Sequence, residues 1–229
     1  DRQEKEILEI PCIINGKEVF TGDIVEQVMP HNHSHVIARV HMAGENEVNN
    51  AIKAALDSHK MWSTMPWEAR CAIFLKASEL LAGPRRYEIN ASTMLNQSKT
   101  CHQAEIDSAC ELIDFWRFNA DYCRQIYEDL QPPVSPSSMW NSSEIRPLEG
   151  FVFSVTPFNF SSIAANLPSS AAIMGNTGVW KPSRNSYVSN YKLMKLMMDA
   201  GLPDGVINFI PGKASLVGDI CLSHPELAG

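Results

Sequence analysis

A side-chain amide and a lysine ammonium are the groups in this chain best placed to do chemistry, because each follows an apolar segment. The segment Phe151–Val155 predicts a buried strand, and the loop after it carries Asn159. A second short strand is predicted to end around Trp180 and Lys181. Both polar side chains donate hydrogen bonds, and the ammonium also pairs with anions. Open α/β sheets bind ligands at the carboxyl ends of their strands, where these two residues are expected.

The elements between and after these residues predict a parallel sheet. A helix rich in small residues is predicted over about 161–174, and a Gly-Asn pair then turns the chain into the second strand. A strand, a helix and a strand without a hairpin turn form a right-handed crossover between parallel strands. A third strand is predicted over 206–210, followed by a final helix. Residues 150–229 therefore predict an α/β fold with the order βαβαβα.

These segments resemble the signature of the aldehyde dehydrogenase superfamily, T-P-x-N-F followed by G-N-x-x-x-x-K-P-S. The chain carries it as Thr156-Pro157-Phe158-Asn159-Phe160, Gly175-Asn176 and Lys181-Pro182-Ser183. Three further segments resemble one branch, the Δ1-pyrroline-5-carboxylate dehydrogenases: IPCIINGKEVFTGD, FLKASELLAGPRRYEI and QAEIDSACELIDFWRFNADY. The resemblance implies a variant Rossmann fold, a parallel sheet with helices on both faces. It also implies an N-terminal helical layer and an oligomerisation arm.

The resemblance assigns the amide a role in aldehyde oxidation. Such oxidation needs a cysteine nucleophile, a donor for the oxyanion, a carboxylate base and a nicotinamide cofactor. Asn159 matches the family's oxyanion-stabilising amide, and the alternative is an Asn that caps the helix after it. Phe160 resembles the ring that walls the aldehyde channel, and a core aromatic is its alternative.

The cofactor implied by the resemblance is NAD, although no G-x-G-x-x-G fingerprint occurs. Lys181 resembles the lysine that hydrogen-bonds the adenosine ribose; the alternative is a solvated lysine after a strand. Thr156 and Pro157 resemble backbone contacts to the cofactor, and Gly212 lies in a turn that resembles one close to the adenosine. The residues predicted to bind NAD are Thr156, Pro157, Lys181, Ser183, Arg184 and Gly212.

Two further residues bear on specificity. Glu111, in a predicted long helix, resembles a glutamate that holds the amino group of glutamate semialdehyde, and a solvated glutamate on a helix face is the alternative. A fixed carboxylate distinguishes amino-bearing aldehydes from plain ones. Arg184 stands where the superfamily often has an acidic residue that accepts from the ribose hydroxyls. Because arginine pairs with phosphate instead, we expect weaker discrimination against NADP, unless Arg184 points to solvent.

Composition narrows the class of protein. The 229 residues have a net charge of −7 with 45% hydrophobic and 20% charged residues, which is ordinary for a globular protein. An acidic chain without a basic cluster argues against nucleic acid or an anionic membrane surface as partners. Six cysteines without CxxC pairs indicate reduced thiols and no metal site. No signal peptide is recognisable, and any transit peptide is expected to be removed or left out of this chain. The resemblance implies the mitochondrial matrix if the source is eukaryotic and the cytoplasm otherwise.

The remaining sequence divides into three parts. Residues 1–138 predict short strands over 10–42, with an Asn-Gly hairpin turn, and then the helical layer of the cofactor-binding domain. The helices are predicted over about Glu45–Trp62, after Pro66, after Pro84, and over about Cys101–Tyr127. Residues 139–149 predict a linker and oligomerisation arm, with an exposed strand or hairpin at 139–147. Residues 150–229 predict the first βαβαβα part of the NAD-binding sheet, with one edge open and a fourth strand expected next.

The family's nucleophile motif G-Q-x-C, its base motif E-L-G-G and its F-T-G-S turn do not occur in the chain. We therefore expect the catalytic domain to lie outside this sequence, and residues 1–229 alone to be inactive. The function predicted for the intact, homo-oligomeric enzyme is NAD-dependent oxidation of 1-pyrroline-5-carboxylate, or glutamate semialdehyde, to glutamate in proline breakdown. Two alternatives stay open: another aldehyde dehydrogenase with a different substrate, and a non-catalytic binding or subunit form.

Overall fold

The structure is a computed structural model that describes residues 2–229 and contains two sheets packed with helices. The strands are β1 (Leu8–Ile10), β2 (Cys12–Ile14), β3 (Lys17–Val19), β4 (Ile24–Met29), β5 (Asn32–His41), β6 (Val152–Val155), β7 (Gly178–Lys181) and β8 (Ile207–Phe209). The α-helices are α1 (Arg2–Lys5), α2 (Glu45–Thr64), α3 (Trp67–Ala82), α4 (Arg86–Gln97), α5 (Cys101–Ala104), α6 (Glu111–Glu128), α7 (Ser161–Ile173), α8 (Tyr187–Ala200) and α9 (Ala214–Ser223). These bounds confirm the predicted helices and the α/β class.

The larger sheet has the strand order β3-β2-β8-β7-β6. Strands β6, β7 and β8 are parallel, as predicted, and α7 and α8 form the crossovers between them. The expectation of an open edge is wrong at β8, where two N-terminal strands join the sheet. Strand β2 pairs antiparallel with β8 through Ile13 and Phe209, and the Asn15-Gly16 turn adds β3 as its hairpin partner. The N-terminal hairpin therefore covers the β8 edge, which the local pattern left open.

The opposite edge of this sheet, at β6, is partly covered by the last residues of the sequence. A parallel bridge joins Phe151 to Leu227, and the Phe153 amide donates to the carbonyl of Gly229 at 2.8 Å. The chain thus already runs beside β6 where a fourth strand was expected. The unpaired backbone N–H and C=O groups along the β6 edge can pair with any neighbouring segment that lies parallel and in register.

The smaller sheet has the order β1-β5-β4, with α4 packed against β4 and the crossover helix α8 against β1. Strands β4 and β5 form an antiparallel hairpin with register shifts on either side of Val28. Three fully buried tryptophans tie the layers together. The indole of Trp62 donates to the Ala172 carbonyl at 2.8 Å, and that of Trp116 to the Ser169 hydroxyl at 2.9 Å. Both of these N–H groups are therefore satisfied inside the core, as buried polar groups must be.

The long helix predicted over about 101–127 is continuous but changes its winding. A π-helical segment, Glu105–Cys110, lies between α5 and α6. Segments of this kind are rare and often occur at functional sites. Here the segment directly precedes Glu111, one of the predicted site residues.

The prediction of a strand or hairpin over 139–147 is wrong, because these residues form no strand within residues 2–229. The segment follows a run of prolines, which cannot donate to a ladder, and most of it is exposed. Trp140 is 88% exposed, so the segment carries a large apolar side chain outside the core. Its predicted role as an oligomerisation arm stays a prediction. Across residues 2–229, no helix has both the length and the apolar character required to span a bilayer.

Candidate active site

Asn159 lies in the loop that joins β6 to α7, and its side chain is exposed on the wall of a cavity of about 610 Å³. Within residues 2–229, its amide has no hydrogen-bond partner. The N-cap position of α7 is Phe160, and no side chain caps that helix end. The alternative that Asn159 is a helix cap is therefore wrong. The amide is left available to a group that enters the cavity.

The backbone of the same loop is held by a lysine that the sequence did not single out. The Nζ atom of Lys99 donates to the carbonyl of Asn159 and pairs with Asp107 at 2.5 Å. The same ammonium lies 4.5 Å from the centroid of the Phe160 ring, a distance typical of a cation–π contact. Phe160 is half-buried at the start of α7, so it is neither a core residue nor a fully exposed one.

Glu111 lies at the first position of α6 and is half-buried against α7. The hydroxyl of Ser162, in the first turn of α7, donates to one of its carboxylate oxygens. The alternative of a fully solvated glutamate is therefore wrong. Glu111 lies four residues after Asp107. Glu111 contacts the start of α7 directly. Asp107 is linked to the loop before α7 by Lys99, which bonds to both. Ser162 was also missed from the sequence, because its partner is distant along the chain.

Lys181 ends β7 and is buried, with 7% of its surface exposed. Its Nζ atom donates to the adjacent Pro182 carbonyl at 3.2 Å, and within residues 2–229 no carboxylate pairs with it. Burial lowers the pKa of Lys181 below its usual value, because the apolar surroundings disfavour the charged form. The alternative of a solvated lysine is wrong. A buried ammonium with unused donors is suited to a polar ligand.

Thr156 and Pro157 follow β6 next to Lys181 in the sheet. The amide of Thr156 donates to the Lys181 carbonyl at 3.2 Å, which extends the β6–β7 ladder by one residue. The Thr156 hydroxyl accepts from the buried indole of Trp180 at 2.9 Å and is therefore turned inward. Because this side chain is engaged with Trp180, a ligand at this strand end would contact the backbone of the turn.

Gly212 follows β8 and completes the row of three strand ends. A Cβ atom at this position would lie 2.6 Å from Cγ2 of Val217, so the close approach of the turn to α9 requires glycine. The preceding Pro211 carbonyl accepts from the Ala43 amide at 2.7 Å. Tyr187 lies beneath this turn, and burial, with a backbone hydrogen bond at Gly212 acting in the opposite direction, raises its pKa to about 12. The turn is thus packed between the Val217 side chain on α9 and the backbone of Ala43.

Ser183 and Arg184 form the connection between β7 and α8. The Ser183 carbonyl accepts from the amide of Ser186 at 3.1 Å, which closes a 3-10 turn over Arg184–Ser186. The Arg184 side chain is exposed and lines the same cavity as Asn159, and no carboxylate within residues 2–229 pairs with it. The structure therefore places Arg184 beside Asn159 on one cavity, whereas Lys181 does not line that cavity.

No cysteine lines the cavity beside Asn159. Four of the six thiols are buried, at Cys12, Cys71, Cys123 and Cys221, and burial raises the pKa of Cys12 and of Cys221 to about 12. A thiol of this kind is a poor nucleophile, because the thiolate is the reactive form. Within residues 2–229, no group of three or more His, Cys, Asp and Glu side chains is placed to hold a metal ion.

Comparison with known proteins agrees with this geometry. The sequence profile described as the aldehyde dehydrogenase family matches residues 20–229. A probable delta-1-pyrroline-5-carboxylate dehydrogenase of Schizosaccharomyces pombe is 48% identical over 96% of this chain and 40% of its own length. The human mitochondrial delta-1-pyrroline-5-carboxylate dehydrogenase is 45% identical over 96% of this chain and 39% of its own length.

A solved structure of the Mycobacterium tuberculosis Δ-pyrroline-5-carboxylate dehydrogenase, bound with NAD, matches with a TM-score of 0.95 and 44% identity. The match covers 99% of this chain and 42% of that one. The chain thus spans about two fifths of the length of the relatives it matches. With its family profile, its relatives and its fold in agreement, this chain belongs to the aldehyde dehydrogenase family.

Proposed function

We propose that the protein containing this chain is a Δ1-pyrroline-5-carboxylate dehydrogenase, which oxidises glutamate semialdehyde to glutamate with NAD. The observation that carries the proposal is the pairing of two groups around α7. The side-chain amide of Asn159 precedes α7 without capping it. The half-buried carboxylate of Glu111 contacts the first turn of the same helix. Relatives of that name match nearly the whole chain, which supports the same assignment.

The strand ends fit NAD as the cofactor. The buried Lys181 ammonium has donors left for ribose hydroxyls, since one neighbouring carbonyl is its partner within residues 2–229. The backbone at Thr156 and Pro157 and the turn at Gly212 follow the carboxyl ends of β6 and β8, the edge where open α/β sheets bind dinucleotides. Ser183 and Arg184 would complete the set. When bound, NAD supplies the hydride acceptor for the oxidation.

Asn159 would act on the aldehyde oxygen. Its amide donates a hydrogen bond to the oxygen as negative charge develops there, and a fixed donor does this without reorganising during the reaction. The thiol nucleophile and the carboxylate base are expected from the part of the relatives' length that this chain does not span. The six thiols present do not line the Asn159 cavity, which supports that division of roles.

Glu111 would select the substrate, and Phe160 would wall its channel. Glutamate semialdehyde carries an α-ammonium group that a half-buried carboxylate can bind by a charge-assisted hydrogen bond. Ser162 fixes one carboxylate oxygen of Glu111, and the other has no hydrogen-bond partner within residues 2–229. A plain aldehyde offers nothing to that oxygen, so Glu111 would discriminate between the two classes.

Assembly and location follow from the same proposal. The exposed segment 139–149, with Trp140 at 88% exposure, suits a homodimer or higher homo-oligomer, because large exposed apolar side chains are typical of interfaces. Several relatives are named mitochondrial, which supports a location in the mitochondrial matrix if the source is eukaryotic, and in the cytoplasm otherwise.

The test is an assay of the complete protein for NADH formation with pyrroline-5-carboxylate and, separately, with propanal. We expect kcat/KM for pyrroline-5-carboxylate to exceed that for propanal by at least about tenfold, because the ammonium adds a charged hydrogen bond. Equal values would favour an aldehyde dehydrogenase with another substrate. The absence of NADH formation with either aldehyde would favour a non-catalytic form.

A further inference from the structure

We propose that Lys99 is a positioning residue that sets the orientation of Asn159 for oxyanion stabilisation. The inference rests on the proposed function, since it concerns how that amide is held. Lys99 lies in the short connection between α4 and α5, remote in sequence from the Asn159 loop. Its contacts nevertheless converge on that loop.

The three contacts of the Lys99 ammonium account for its capacity as a donor. One goes to the Asp107 carboxylate at 2.5 Å, one to the carbonyl of Asn159, and the third is the face of the Phe160 ring at 4.5 Å. Two of these partners are consecutive residues of the loop. The lysine therefore fixes both the carbonyl of Asn159 and the ring of the residue after it, and so the peptide plane between them.

The environment makes the Lys99–Asp107 pair stronger than an ion pair on an open surface. The side chains of Lys99 and Asp107 are each 14% exposed. Charge-assisted hydrogen bonds are less screened at low exposure than in water, and a compensated charge avoids the cost of an isolated buried one. Lys99 thus holds the loop with a charge that Asp107 neutralises, which a neutral side chain would not reproduce.

The π-helical segment provides the partner for this lysine. Asp107 lies within Glu105–Cys110, and Glu111 follows one turn later on the same helix. Asp107 restrains the loop through Lys99, and Glu111 contacts Ser162 just beyond it. The same continuous helix therefore positions the loop of the oxyanion donor and carries the proposed substrate-binding carboxylate, which would fix the distance between these two groups.

This arrangement leaves the Asn159 side chain free while its backbone is restrained. An oxyanion donor must be held near the position that the oxygen takes in the transition state, and a displacement of about 1 Å can reduce the rate about 100-fold. A lysine that only stabilises the fold would affect unfolding without acting through Asn159. The two roles therefore predict different kinetics.

The experiment compares four variants of the complete protein: Lys99→Met, Lys99→Arg, Asn159→Ala, and the double variant Lys99→Met/Asn159→Ala. We expect Lys99→Met to lower kcat for pyrroline-5-carboxylate about 10- to 100-fold, with the dissociation constant for NAD changed less than about twofold. Lys99→Arg should recover most of the loss, since arginine also pairs with Asp107 and donates to a carbonyl. The double variant should be no slower than Asn159→Ala, because residues that act as a unit are not additive.

A second measurement does not depend on activity. Hydrogen–deuterium exchange of peptides that cover 158–160 should be faster in Lys99→Met than in wild type, while the rest of the molecule is unchanged. Lys192→Met is the matched control, because Lys192 is 16% exposed at its side chain and pairs with Glu88 at 2.8 Å, away from the loop. It should leave both kcat and loop exchange unchanged.

Two outcomes would overturn the inference. One is a double variant whose loss in kcat equals the product of the two single losses, since that would make Lys99 independent of Asn159. The other is loop exchange in Lys99→Met that matches wild type. If wild type itself fails to oxidise pyrroline-5-carboxylate, the proposed function fails, while the exchange experiment still decides whether Lys99 holds the loop.

Discussion

Two regions at the carboxyl edge of the sheet are built in opposite ways. In the Asn159 loop (157–160), the backbone is held by a side chain from outside the loop, Lys99, and the functional amide has no partner within residues 2–229. In the Lys181 turn (181–186), the Lys181 ammonium donates to the adjacent Pro182 carbonyl and the turn is closed by its own serines, while the Lys181 carbonyl accepts from Thr156 in the sheet. The functional loop around Asn159 is therefore held by a side chain distant in sequence, whereas the Lys181 ammonium is held by its own neighbour in the chain.

The same two regions differ in how they treat charge. The Lys99 ammonium is neutralised by Asp107, whereas Lys181 has no carboxylate partner within residues 2–229 and has its pKa lowered by burial. An uncompensated buried charge costs stability until a ligand solvates it. The charge beside the loop, on Lys99, stabilises the loop structure, whereas the charge of the turn, on Lys181, remains available to a ligand.

The largest effect should come from removal of the loop's available amide. In the complete protein, Asn159→Ala should lower kcat about 10²- to 10³-fold, or about 3–4 kcal/mol, because one preorganised oxyanion donor is lost. Affinity for NAD should change little. Steady-state kinetics and NAD titration measure the two quantities, and circular dichroism verifies the fold.

Asn166→Ala is the control for this prediction, because Asn166 lies on α7 and accepts a hydrogen bond from Asn119 at 2.8 Å, inside the helical layer. It should leave kcat within about twofold of wild type. A loss below tenfold in Asn159→Ala would mean that the amide is not the oxyanion donor, and the contrast between an available and a structural amide would disappear.

The next effect concerns the carboxylate that contacts the same helix. Glu111→Gln should raise KM for glutamate semialdehyde about 10- to 100-fold, which corresponds to one charged hydrogen bond, and should spare propanal. Glutamine preserves the size of the side chain and an oxygen for Ser162, so the change isolates the charge. Equal losses for both aldehydes would make Glu111 structural and weaken the choice of substrate.

The site residues that could be predicted from sequence are those that lie in short continuous motifs. Asn159 and Lys181 could be located because each ends a strand within a short continuous motif, and their helix and strand bounds were confirmed to within a few residues. Lys99, Asp107 and Ser162 could not, because each acts on a partner that is separate along the chain. A lysine followed eight residues later by an aspartate carries no local signal of such a contact.

The sheet shows the same limit at the level of the fold. The three parallel strands were predictable from their apolar runs and intervening helices. The pairing of β2 with β8 could not be predicted, since Ile13 and its partner Phe209 lie near opposite ends of the chain. The segment 139–147 was predicted as a strand because its sequence pattern permits an extended chain. A strand also needs a neighbouring strand to pair with, and a local pattern does not show whether one is present.

A smaller effect should follow from the uncompensated charge of Lys181. Lys181→Met should raise the dissociation constant of NAD about tenfold, because a charged donor is lost. It should also raise the free energy of unfolding of the NAD-free protein by about 1 kcal/mol, since functional sites often sacrifice stability. Isothermal titration and denaturant unfolding measure the two changes.

The pH dependence of this gain has a definite sign. At pH values below its lowered folded pKa, Lys181 is charged in both states, so the full cost of burying its charge is present there. As pH rises through that pKa toward the unfolded value, the folded amine becomes neutral, the cost disappears, and the advantage of the methionine should shrink. Lys192→Met, which breaks the pair with Glu88, should instead lower stability. Destabilisation by both variants would remove the distinction between the two kinds of buried lysine.

The smallest effect is expected at Arg184, where the two regions meet, since this residue belongs to the Lys181 turn but lines the Asn159 cavity. Its exposed guanidinium attracts a phosphate without enclosing it. Arg184→Glu should therefore shift the ratio of kcat/KM for NAD to that for NADP by about fivefold toward NAD, the scale of an exposed ion pair of about 1 kcal/mol. The shift should diminish at high ionic strength, because salt screens exposed charges. Arg117→Glu makes the same charge change on α6, where Arg117 pairs with Glu79, and should leave the ratio unchanged. An unchanged ratio in Arg184→Glu would assign Arg184 to the Asn159 cavity alone and separate the turn's charge from the cofactor site.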